Sequence, residues 1–202
     1  VSRGNGKTDV AQLVKEGVLV QVQGKGTFVK KENIRYPLGE GLLSFAESLE
    51  SQQINFSTQV IATRVEPANR YIAEKLRIKP GQEILYLERL RYIDDERVML
   101  IENRINMALV PGIAEVDFNH NNLFPTIERL SQQKIRYSES RYAARLIGNE
   151  RGHFLDSSED APVLHLEQLV FFSRELPVEF GNVWLKGNKY YLGTVLQRRE
   201  VS

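Results

Sequence analysis

Apolar positions along this chain repeat with two periods, and each change of period marks a new element. From Glu83 to Tyr92 the period is two, which places Leu85, Leu87, Arg89 and Arg91 on one face of a strand. An acidic turn at Asp94-Asp95-Glu96 and a second apolar run from Val98 to Ile105 complete a hairpin. Upstream, Val10, Leu13 and Val14 have helical spacing within residues 5–16, and Gly17 stops that helix. Two short strands, 18–22 and 27–30, then flank Gln23-Gly24-Lys25-Gly26, a hairpin with a glycine-rich tip. Pro37 and Gly39 punctuate a linker over 32–40.

Downstream the same reasoning predicts helices over 41–53, 68–76 and 123–133. Their apolar faces are Leu42, Phe45, Ala46 and Leu49; Ile72, Ala73 and Leu76; and Leu123, Ile127 and Leu130. Pro125 falls in a first helical turn, where proline is tolerated. Strands are predicted over 56–65, ended by Pro67, and over 137–147, 162–172, 177–185 and 190–198. Residues 149–158 fit neither period. Short turns at Pro80-Gly81, Ser173-Arg174-Glu175 and Gly187-Asn188 join these strands, so the sheet is expected to be mainly antiparallel and the fold class α+β.

The 202 residues allow one or two domains, and 42% hydrophobic with 26% charged residues is the balance of a globular chain with a real core. No apolar run approaches the roughly 20 residues of a membrane helix, and no signal peptide pattern appears. No membrane partner is therefore expected. The chain lacks cysteine, which excludes disulfides and thiolate metal sites and fits a cytoplasmic setting. His120, His153 and His165 are far apart and show no ligand spacing, so no metal is expected. Net charge is +1 but uneven. Residues 1–36 hold seven Lys or Arg against three Asp or Glu, leaving −3 for the rest. A basic head on an acidic body points to a polyanion for the head. The chain begins at Val1 in mid-pattern and reads as a piece whose N-terminal portion is missing.

No nucleophile elbow, P-loop or dinucleotide fingerprint is present, and no carboxylate pair has acid–base spacing. Catalysis and a cofactor are not expected. The chemistry lies instead in polar groups inside predicted strands: Arg89, Arg91, Glu102, Glu139, Arg141, Glu179 and Asn182, with Trp184 as an indole for stacking. Two guanidiniums two residues apart suit a carboxylate or phosphate. Separately, each residue also fits an ordinary surface position, and Trp184 fits a core. Ser44 opens the helix after the linker, where free N–H groups face outward; it fits a helix start or an anion cradle. Strict alternation puts Glu179 and Trp184 on opposite faces unless a bulge intervenes near Gly181. A helix followed by a basic-tipped hairpin fits the second half of a winged helix-turn-helix, or a helix–hairpin piece of another domain.

Val1-Ser2-Arg3, Leu13-Val14-Lys15-Glu16-Gly17-Val18-Leu19 and Gln23-Gly24-Lys25-Gly26-Thr27-Phe28-Val29 resemble the end of the DNA-binding domain of GntR-type bacterial repressors. The body resembles the UTRA effector domain of the HutC branch through Leu43-Ser44-Phe45, Leu76 with Pro80-Gly81, Leu87-Glu88-Arg89-Leu90-Arg91-Tyr92, Glu102 and Pro177-Val178-Glu179-Phe180. The resemblance spans essentially the whole chain. It implies three parts: a partial winged helix at 1–31, the linker at 32–40, and a chorismate-lyase-like UTRA domain at 41–202 without lyase activity. It implies a homodimeric repressor that binds operator DNA through its intact N-terminal domain and responds to a small-molecule effector, often a phosphorylated sugar. The other class considered is a chorismate-lyase-like enzyme acting on a small anion, but such an enzyme has no need of a basic wing.

Carried over, Arg89 and Arg91 hold the anion, with Ser44 and Phe45 completing a cradle. Glu102 and Glu179 take hydroxyls, and Ser140 and Trp184 are further candidates. DNA contact falls to Arg3, Lys7, Gln23, Gly24, Lys25, Gly26 and Thr27. The chain departs from the pattern at Asn5 and Gly6, where threonine and valine are usual, with Gly4 before them, and at Trp184 and Asn188, where tyrosine and aspartate are frequent. Two glycines cost a helix roughly 1 kcal/mol each, and the first helices of such a domain are missing, so this piece alone is expected to bind DNA weakly or not at all.

Overall fold

The structure, a computed structural model, describes residues 10–14, 19–22, 24, 26–29, 34–37, 42 and 44–193. The chain divides into two units, Val1–Ile34 and Arg35–Ser202. In the first, residues 10–14 are helical, as the spacing of Val10, Leu13 and Val14 predicts. Strand β1 (Leu19–Val22) pairs antiparallel with β2 (Gly26–Val29), with Val22 opposite Gly26. Gly24 and Gly26 both have positive φ, 78° and 117°, which is why the tip is built from glycine. The ends of the predicted 5–16 helix lie outside the described residues.

The second unit is built on a six-stranded antiparallel sheet in the order β4-β5-β6-β9-β8-β7. Its strands are β4 (Ser57–Pro67), β5 (Glu83–Ile93), β6 (Glu96–Asn106), β7 (Tyr137–Leu146), β8 (Pro162–Ser173) and β9 (Leu176–Lys186). The helices are α1 (Phe45–Ser51), α2 (Arg70–Leu76), α3 (Leu123–Ser131) and α4 (Asn149–Phe154). The segment that fitted neither period thus contributes α4. Within the expected linker, β3 (Ile34–Pro37) is a strand that pairs with β10 (Tyr190–Gly193) in a separate two-stranded sheet. The predicted continuation of the last strand past 193 lies outside the described residues.

Both faces of the sheet are covered. On one, Leu85, Leu87, Ile105, Val170 and Val178 pack against Ile113, Phe118 and the α3 residues Leu123, Phe124 and Ile127. On the other, α2 sets Ile72, Ala73 and Leu76 on Ile84 and Phe180, while Leu155 and Ile147 close on Leu90, Leu100 and Val163. Strands buried on both sides carry nearly continuous apolar runs, which is what Ile84–Leu87 and Val98–Ile101 show.

Register decides which polar residues share a face. The β5–β6 turn is the two residues Asp94 and Asp95, at φ 49° and 61°; Glu96 already belongs to β6. Tyr92 faces Arg97, but Arg91 faces Met99, so Val98 is an extra residue. This bulge inverts the parity of everything after it in β6. Leu87 consequently faces Asn103 and Glu88 faces Glu102; an unbulged hairpin would have placed Glu102 opposite Leu87, on the arginine side.

Candidate functional site

Arg89 and Arg91 follow Leu85 and Leu87 along one face of β5, as the period-two pattern predicts. Neither guanidinium is solvated: the residues are 3% and 2% exposed. They open onto a cavity of about 40 Å³ lined also by Ile101 and Asn103 of β6, Gln168, Val183, Ser44–Ala46 at the start of α1, and Leu123 and Phe124 of α3. Aromatic rings cover the two cations. The Arg91 guanidinium lies 4.4 Å from the centre of the Phe56 ring, and that of Arg89 lies 5.8 Å from Phe118.

A buried relay runs behind the arginines. Arg89 Nη2 donates to Asn103 Oδ1 at 2.6 Å, and Asn103 Nδ2 donates to Glu179 Oε1 at 2.7 Å. Arg89 Nε has no hydrogen-bond partner among the described residues. Burial, then the neighbouring charge of Arg91, press the Arg89 guanidinium down to about 9, so it stays charged at neutral pH. Burial pushes the Glu179 carboxyl up to about 7, against the Asn103 hydrogen bond and the charges of Arg89 and Arg104. Among the described residues the site is therefore cationic, with the Glu179 carboxyl near half protonation at pH 7. Gly181 makes the relay sterically feasible, because a Cβ there would meet Glu179 Oε1 at 2.6 Å and Asn103 Nδ2 at 3.1 Å.

The remaining candidates separate into those near this cavity and those remote from it. Phe45 and Ser44 line the cavity, but Ser44 is also a complete N-cap. Its Oγ accepts from Glu47 N–H at 3.2 Å, and its own N–H donates to Glu47 Oε2 at 2.7 Å. This capping box meets the helix-start reading, and the helix begins at Phe45 rather than within residues 41–44. Ser140 stands one step back, accepting from Gln168 Nε2 at 3.3 Å.

Glu102 and Trp184 lie on the opposite face of the sheet. There Trp184 Nε1 donates to Glu102 Oε2 at 2.7 Å. Arg151 of α4 contacts the same carboxylate at 3.4 Å and covers the indole at 4.4 Å, while His165 stacks on the indole's other side at 3.9 Å. No register shift interrupts β9 between Glu179 and Leu185, so alternation keeps Glu179 and Trp184 apart as expected. Asn103 and Gln168 are contributors that sequence reasoning did not single out; the Val98 bulge hides Asn103 by exchanging its face with that of Glu102. Of the wing candidates, Gly24, Gly26 and Thr27 are exposed, and Arg3, Lys7, Gln23 and Lys25 lie outside the described residues.

The UTRA domain family profile matches residues 51–191. The chain belongs to the UTRA domain family. Its curated relatives include the mannosyl-D-glycerate transport/metabolism system repressor MngR of Escherichia coli K12, 28% identical over 164 residues, covering 81% of this chain and 68% of that protein. The HTH-type transcriptional repressor NagR of Bacillus subtilis is 23% identical over 190 residues, 94% of this chain and 77% of that protein. A crystal structure from Escherichia coli CFT073, described only in general words as a regulator, is 83% identical with a TM-score of 0.64, covering 68% of this chain and all of that one. PhnF from Mycobacterium smegmatis has a TM-score of 0.77 at 20% identity, over 98% of this chain and 87% of its own, which speaks to the fold. This UTRA protein is thus a transcriptional regulator of the GntR type, with the α+β architecture of its relatives.

Proposed function

We propose that this UTRA protein is a cytoplasmic, homodimeric repressor whose operator binding is modulated by a small anionic metabolite held at Arg89 and Arg91. The observation that carries this reading is the burial of two guanidiniums against one cavity, with the Glu179 carboxyl reached from Arg89 through the Asn103 amide. Taking guanidiniums out of water is costly, and a ligand carboxylate or phosphate offsets that cost through bidentate hydrogen bonds. MngR is named for mannosyl-D-glycerate, a carboxylated glycoside, which fits the same class. A phosphate fits equally well. We read the chain as non-catalytic. Arg89, Arg91, Asn103, Gln168, Ser44 and Phe45 form the binding set, with Glu179 and Ser140 behind it. Glu102 and Trp184 are read as holding α4 to the other face.

A cavity of about 40 Å³ holds only a few waters, not a sugar. Entry of a metabolite therefore displaces the layer carrying Phe45 and Phe124. A ligand shifts DNA binding only through its difference in affinity between two states, and this displacement supplies such a difference. We assign DNA contact to residues 1–31 and the effector to 41–202. In this reading segment 32–40 transmits the change, so replacing Pro37 and Gly39 is expected to uncouple operator release from ligand.

The test is a thermal-shift screen of phosphorylated sugars and small carboxylates on the wild type and Arg89→Ala. At about a hundred times its dissociation constant a ligand stabilises the fold by about 2.7 kcal/mol. A hit that is lost in Arg89→Ala supports the reading. Hits that Arg89→Ala leaves intact, or a blank in both classes, overturn the assignment of the arginines.

A further inference from the structure

Glu179 lies behind the arginines, not beside them. The residue is 1% exposed, and Asn103 is the amide between its carboxyl and Arg89. Chemistry fixes the direction of both bonds. A guanidinium only donates, so Asn103 must turn Oδ1 toward Arg89 and Nδ2 toward Glu179. The relay therefore connects the anion site to a group that can change charge, through a side chain with one usable orientation.

We propose that Glu179 is the proton-coupled partner of the anion site: an anion settling on Arg89 and Arg91 makes Glu179 take up a proton, so anion affinity falls as pH rises. This inference rests on the anion reading above. In the empty site the positive charge of Arg89 favours the ionised carboxylate. A bound anion cancels that charge and draws Arg89 Nη2 toward itself, which loosens Asn103. Glu179 is then a buried carboxylate without its compensation, and the neutral acid becomes the stable form. The proton comes from solvent, a carboxylate oxygen accepts it, and both guanidiniums keep theirs. Burial has already brought Glu179 to about 7, so the uptake falls in the neutral range.

Among the described residues, the groups that act on the Glu179 carboxyl are Asn103, Arg89 and Arg104. From β5 the facing charges are Arg89 and, one pleat further, Arg91; from β6 come the neutral amide of Asn103 and the charge of Arg104. From β8, Val170 lies opposite Glu179 and Gln168 opposite Gly181, both uncharged. The layer over this face supplies Phe118, Leu123, Phe124 and Ile127.

Sulfate is the probe, because it does not titrate between about pH 6 and about pH 9 and any proton linkage then belongs to the protein. Its affinity and proton uptake are measured on the full chain by calorimetry in buffers of different ionisation enthalpy. Uptake of part of one proton near neutrality is expected, with affinity weakening above about pH 7 by up to tenfold per unit. Glu179→Gln is expected to bind sulfate with no such slope. A flat wild-type profile, or the same slope in Glu179→Gln, overturns the coupling and leaves the anion site standing. Sulfate binding that is absent, or indifferent to Arg89→Ala, overturns both. Should Glu179→Gln fail to fold, a carboxyl-carbon NMR titration of wild-type Glu179 decides. A midpoint raised by sulfate supports the coupling, and an unmoved midpoint overturns it.

Discussion

At Gly181 the absent side chain is the functional feature, because it leaves the space into which the Glu179 carboxyl folds to reach Asn103. Gly181→Ala would force a fully buried, hydrogen-bonded carboxyl to move. A cost of about 1–3 kcal/mol is expected from urea unfolding, as for an overpacked core. Asn103→Asp tests the electrostatics of the same relay. A second carboxylate beside Arg89 would pair with it, raise the Glu179 pKa further, and supply internally the negative charge otherwise brought by ligand. Anion binding is expected to fall at least about tenfold, or about 1.4 kcal/mol, while the fold persists. Arg89, Arg91 and Glu179 were legible in the sequence because charges inside apolar runs stand out. Asn103 and Gln168 were not, since neutral amides occur in strands for many reasons, and only the observed register shows that both face the guanidiniums.

The hairpin of β5 and β6 shows the same limit for an element. Its existence and acidic turn were readable from alternation alone. The extra residue Val98 was not, because a buried valine within an apolar run carries no mark of a bulge. That one residue decides whether Glu102 or Asn103 meets the arginines. The turn itself puts two aspartates at positive φ, which glycine adopts at less cost. Asp95→Gly is expected to stabilise the protein by roughly 0.5 kcal/mol, visible as a raised unfolding midpoint in urea; a lowered midpoint would show that the Asp95 side chain contributes more than its backbone strain costs. The start of α1 is a counterpart where sequence and structure agree on type but not boundary. Apolar spacing extends the helix back to Leu42, yet Ser44 and Glu47 close a capping box that fixes the start at Phe45. Ser44→Ala is expected to cost about 1 kcal/mol, measured the same way.

For the molecule as a whole, the α+β class and antiparallel sheet followed from short connections, whereas the layering did not. Helices cover both faces of the sheet, and the polar clusters on the two faces are chemically different: a cationic cavity on one, a carboxylate held by an indole and a guanidinium on the other. This separation makes the pH dependence of stability interpretable, because Glu179 titrates inside the cavity face with no histidine among its determinants. Its folded pKa of about 7 lies above the ordinary carboxylate value near 4.5 expected when unfolded. Between those values the folded state binds more protons than the unfolded one, so stability falls as pH rises through this window. The contribution is fully present below the unfolded value, is lost as pH passes the folded value, and amounts to roughly 3 kcal/mol. Unfolding free energy measured from about pH 5 to about pH 8 is expected to decline in the wild type and to decline less steeply in Glu179→Gln, where the raised Glu88 carboxyl remains. Equal slopes in the two proteins would place the folded pKa of Glu179 near its ordinary value. The carboxyl would then be a fixed anion behind Arg89, and the site would carry a net charge of about one at pH 7 where the half-protonated carboxyl gives it about one and a half.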